Sequence, residues 1–178
     1  SDVCAWLTID NTAIDFPILQ GQDNLTYINR DVYGNFALAG SIFLDSRNAR
    51  DFSDAYSLLF GHHMDHSNMF GDLDLFKEEK FFRENRTGKL LLPDRSYPLE
   101  VLCVILVQSD DDILFEPQES SGNMNTVLSY VAENALYQNT DVLETMRMEE
   151  NPKLLGLSTC STEFTDARTI VLCRMIEG

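Results

Sequence analysis

Apolar residues in this chain gather into short runs that turn residues keep interrupting. Leu99 to Val107, Leu58-Leu59-Phe60, Leu154 to Leu157 and Thr169 to Cys173 all follow this style. Runs of that length, rich in Val, Ile and Phe and bounded by Pro, Asp, Asn and Ser, read as strands. Trp6 to Ile9 and Ile14 to Leu19 add two more around a turn at Asp10-Asn11. Gly40 to Leu44 and Tyr56 to Phe60 follow, and Lys89 to Pro93 with Tyr97 to Val107 reads as a hairpin around Asp94-Arg95. Helical spacing shows in three places. Asp23 can cap a short helix through Asn29. Met69, Leu73 and Phe76 recur at helical intervals before Asn85, and Met124, Val127, Leu128, Val131 and Ala135 form a stripe between Asn123 and Gln138. The expected fold is mostly β: about eight strands in a closed or nearly closed barrel, with two or three peripheral helices. In chain order the Asn123 to Gln138 stripe comes before the strand that ends in Cys160.

At 178 residues, with no repeat or linker, residues 1–178 fit a single domain. The formal charge of −16, with scattered Lys and Arg, argues against a nucleic-acid partner. No stretch approaches the ~20 apolar residues that span a bilayer. The four cysteines form no CxxC pair, so zinc-ribbon and thioredoxin readings lack support. Cys4, Cys103 and Cys173 sit in apolar runs and read as core.

Cys160 is different. It closes an apolar strand and is followed by the polar segment Ser161 to Asp166, after which Arg168 opens the next strand. Far upstream, Leu58 to Gly61 delivers His62 at the end of another run. A thiol becomes a nucleophile as its thiolate, and a neighbouring imidazole can take that proton and return it to a leaving amine. An arginine can hold the oxyanion of the tetrahedral intermediate. Two other readings stand beside this one. Cys160 can be packing, with Arg168 paired to Glu163 or Asp166. His63, Asp65 and His66 also fall in register with an HxHxDH metal pattern, although its first position is Gly61.

Leu157-Ser158-Thr159-Cys160 with Arg168 resembles the signature of sortases, the cysteine transpeptidases of Gram-positive cell surfaces. Phe60-Gly61-His62 matches the place where that family carries its histidine. Ile14 to Gly21, Asp23-Asn24, Ala39 to Asp45, Ser67 to Leu73 and Ser161 to Arg168 are similar to class B sortases in particular. The resemblance implies an eight-stranded sortase barrel with a helix, Asn123 to Gln138, inserted before the Cys160 strand and with His62, Cys160 and Arg168 as catalytic residues; it leaves His63 as a neighbour and His66 in a loop. It implies a peptide groove lined by Asn24, Ile28, Ser158 and Thr159, with no metal or organic cofactor. The implied partners are secreted proteins bearing a C-terminal sorting signal, with a peptidoglycan precursor amine or a pilin lysine as acceptor. The chain would then be a monomeric ectodomain on the outer face of the membrane, tethered by a preceding N-terminal segment.

Overall fold

Burial on two faces explains why so many of these strands are apolar throughout. The computed structural model describes residues 2–65, 67–160 and 167–178, with Cys160 described by its backbone. In chain order the strands are β1 (Val3–Ile9), β2 (Asp15–Leu19), β3 (Ile42–Leu44), β4 (Tyr56–Met64), β5 (Asn68–Met69), β6 (Thr87–Leu91), β7 (Ser96–Gln108), β8 (Tyr137–Gln138), β9 (Leu154–Cys160) and β10 (Ala167–Met175). A 3₁₀ helix, Gly71–Lys77, precedes α1 (Glu79–Glu84). Between β7 and β9 lie α2 (Pro117–Ser121), α3 (Met124–Asn134) and α4 (Thr140–Met148).

Strands pair in the order β10-β9-β4-β3-β2-β1-β6-β7, and β10 pairs again with β7, which closes an eight-stranded barrel. Most pairs are antiparallel; β2 with β3 and β4 with β9 are parallel. Asn11 takes a left-handed φ of 59° at the expected β1–β2 turn, a conformation Asn tolerates. The β6–β7 hairpin turns where Asp94 and Arg95 predict it, with Leu91 opposite Ser96.

One apolar cluster fills the barrel, including Leu7, Ile18, Leu59, Leu155 and Val171. A second lies outside it, where Leu58, Leu102, Ile105 and Ile170 meet Val127, Val131, Leu143 and Met146 of the helices. The middle of β7 is therefore buried on both faces and loses its alternation. Each such side chain contributes about 1.5–3 kcal/mol through burial.

The helices are more numerous than the spacing predicts. The expected 69–85 helix splits at Glu78, whose backbone is extended. The expected 123–138 helix stops at Asn134, because Tyr137 and Gln138 pair with Val104 and Cys103 of β7. The spacing predicts no helix at α4, since its short polar sequence buries only Val142, Leu143 and Met146.

Candidate active site

β4 and β9 bring the site together. Their parallel register sets Phe60 beside Ser158, Gly61 beside Thr159 and His62 beside Cys160. Residues almost a hundred positions apart become ladder neighbours at one end of the barrel. Gly61 permits this packing: a Cβ there would stand 2.3 Å from Ile42 Cδ1 and 2.7 Å from Phe70 Cδ2. Arg168 enters from β10, where it pairs with Val107, and its Nη1 donates to the Thr159 carbonyl at 3.1 Å. The guanidinium is thus fixed on the peptide next to Cys160. Glu163, Asp166 and His66 lie outside the described residues, as does the Cys160 side chain.

The Nε2 of His62 donates to the Ile28 carbonyl at 2.5 Å. A carbonyl only accepts, so Nε2 carries the proton and Nδ1 is the basic nitrogen of the neutral ring. Ile28 belongs to a run of turns. Asp23 does staple its start, with Oδ1 accepting from the Leu25 and Thr26 amides and the Thr26 hydroxyl. Those bonds, led by the Thr26 hydroxyl, hold the Asp23 carboxyl below its usual range. The chain through Asn29 nonetheless does not wind into the expected helix. Tyr27 gives its carbonyl to Ser41, and Asn24 bonds Asp45 and Ser46, so the segment is committed to loop contacts.

Of the four residues expected along a groove, Ile28 reaches His62 and its side chain is half-buried. Asn24 uses both ends of its amide within the fold. Ser158 and Thr159 are buried; Ser158 donates to the Thr159 carbonyl, and Thr159 Oγ1 accepts from the Thr169 amide at 3.3 Å. What they present near Cys160 is backbone. His63 donates to Asp74 at 2.5 Å, and Asp74 also pairs with Lys77. Partial burial raises the Asp74 carboxyl, but the Lys77 and His63 bonds outweigh it and the net shift is downward. Burial pushes the Cys4 thiol up to about 11 and Cys173 to about 12, and raises Cys103 as well. Those three are inert at neutral pH.

No protein-family model matches the chain. A Streptococcus pyogenes class B sortase involved in pilus biogenesis superposes with a TM-score of 0.88 at 34% identity, covering 98% of this chain and 92% of that one. The chain belongs to the class B sortases. Sortase B of Listeria monocytogenes is 30% identical over 162 residues, 91% of this chain; the match spans 64% of that relative's length. A Staphylococcus aureus sortase B–substrate complex shares the fold at a TM-score of 0.85 and 22% identity, covering 99% of this chain and 80% of that one. Two features of this class B sortase had no sequence signal: the Ile28 backbone carbonyl as partner of His62, and the bonds that Arg47 makes to Asp45 and Phe115.

Proposed function

We propose that this domain is a cysteine transpeptidase that cleaves a C-terminal sorting motif, NPxTN- or LPxTG-like, after Thr. The observation that carries this reading is the β4–β9 register, which makes His62 the ladder neighbour of Cys160 while Arg168 holds the preceding carbonyl. The Cys160 thiolate attacks the carbonyl carbon of Thr, forming a C–S bond and an oxyanion that Arg168 steadies. Collapse breaks the C–N bond, and His62 gives the departing amine the proton that its Nδ1 took from the Cys160 thiol, while Nε2–H stays on the Ile28 carbonyl. An incoming amine attacks the thioester and loses a proton to His62, and the C–S bond breaks to release the Cys160 thiolate beside the imidazolium. The acceptor is an amine of peptidoglycan precursor. Secreted proteins with a C-terminal sorting signal are the donors, and the domain works as a monomer on the outer face of a Gram-positive membrane. The Listeria and Streptococcus sources of its relatives support that placement. Among the described residues no helix is long and apolar enough to cross a membrane.

A pilin lysine is the second acceptor reading, favoured by similarity to the streptococcal sortase involved in pilus biogenesis. Sorting peptides incubated with an oligoglycine amine, a lysine peptide or neither, and read by mass spectrometry, separate these readings. Amine-dependent ligation supports transpeptidation, and the preferred amine picks the acceptor; a product that stays hydrolysed with every amine indicates a cysteine hydrolase. His62→Gln and Arg168→Met should each lower kcat/KM on the order of 100-fold or more.

A further inference from the structure

Asp45, just beyond β3, is fully buried, and four donors surround its carboxylate. Arg47 N and Nε donate to Oδ1 at 2.9 and 3.0 Å. Arg47 Nη2 and Asn24 Nδ2 donate to Oδ2 at 2.9 and 3.0 Å. Two ties leave this knot in opposite directions. Toward the histidine, Asn24 Oδ1 accepts from Ser46 N at 2.7 Å, which fixes Asn24 at both ends. Four residues on, the Ile28 carbonyl receives His62 Nε2. The turn at Gly40 presses on that same carbonyl, since a Cβ at Gly40 would stand 2.3 Å from Ile28 O.

Toward the helical insertion, Arg47 Nη2 also donates to the Phe115 carbonyl at 2.8 Å, and Nη1 pairs with Glu116 at 2.6 Å. Phe115 in turn stacks on Phe60, with centroids 6.4 Å apart and planes 11° from parallel. Phe60 lies two residues before His62 on β4 and beside Ser158 of β9. One guanidinium therefore reaches both sides of the site. A half-exposed arginine paired only at the surface would contribute little, but its fork here spans a buried carboxylate and a backbone carbonyl.

We propose that Arg47, clamped on Asp45, is a positioning residue of the active site: it holds the His62 wall and the Phe115 wall in one register. The proposal rests on the transpeptidase role given to His62. Misplacement of a reacting group by about 1 Å can cost about 100-fold in rate, so loss of the clamp is felt in turnover more than in peptide binding. Breaking the pair from one side would strand a buried charge, so the test removes both charges together.

The test compares wild type, the double variant Asp45→Asn/Arg47→Met, and Arg47→Lys, which keeps the charge but lacks the fork. Folding is checked by thermal melting and near-UV circular dichroism. The readouts are steady-state kinetics on a sorting peptide and ¹⁵N NMR of the His62 imidazole. Both variants should fold, lose kcat on the order of 10- to 100-fold with a smaller change in KM, and shift the His62 nitrogens away from a single Nε2-protonated form. Should the double variant fail to fold, Arg47→Lys carries the test. A folded variant with wild-type kcat and unchanged His62 signals overturns the proposal. If wild type acts on no sorting peptide, the transpeptidase reading falls, while the His62 spectrum still decides the clamp.

Discussion

At the residue scale the site depends on what a side chain is bonded to more than on which side chain it is. Cys4, Cys103 and Cys173 are buried thiols with raised pKa, so iodoacetamide on the native protein at pH 7 should give one adduct, on Cys160. Peptide mapping checks this, and labelling of Cys103 or Cys173 in the folded state would contradict it. Thr159 ties β9 to β10 through the Thr169 amide. Thr159→Val should cost about 1 kcal/mol by denaturant melting and loosen the carbonyl that Arg168 holds. His62, Cys160 and Arg168 each end or open an apolar run, which made them candidates beside packing and metal readings; the likeness to the sortase signature is what singled them out as a set. The Ile28 carbonyl was not, since every residue carries one and only the fold selects which meets the ring.

At the element scale, strands were more legible than helices. A strand buried on one or both faces announces itself by short apolar runs, as β4, β7, β9 and β10 do. The helices are short and read weakly; α4 buries three residues, and the Asp23 segment spends its polar groups on neighbouring loops. Closure by β7 pairing with β10 joins segments far apart in sequence, which no local pattern encodes. Gly61 shows how tightly β4 is built in. Gly61→Ala should destabilise by about 1–3 kcal/mol, because Ile42 and Phe70 occupy the space of its Cβ. Activity should fall with it, as the strain sits one residue from His62. Equal melting temperatures for the variant and wild type would contradict that packing.

At the scale of the whole molecule, ionisation should bound stability on both sides. Asp23, Asp51, Asp74 and Asp141 have carboxyls held below the ordinary 3.8, so the folded chain binds fewer protons than the unfolded one there. Their contribution is present above that value and is lost as pH falls through the lowered ones. The buried thiols act in the other direction. Their contribution is intact below the ordinary thiol value of 9.0 and is lost as pH rises through about 11 for Cys4 and about 12 for Cys173. Urea melts across the pH range should therefore trace a plateau that declines at each end; undiminished stability between pH 9 and 11 would contradict the thiol burial. The barrel that sets these burials also sets His62 beside Cys160, and in the proposed mechanism this pairing makes a thioester. Intact mass spectrometry of wild type and Cys160→Ala with an excess of sorting peptide would detect that thioester. An adduct equal to the peptide up to its Thr should form on wild type alone and be removed by hydroxylamine. Cleavage of the peptide by Cys160→Ala at the wild-type rate would contradict it.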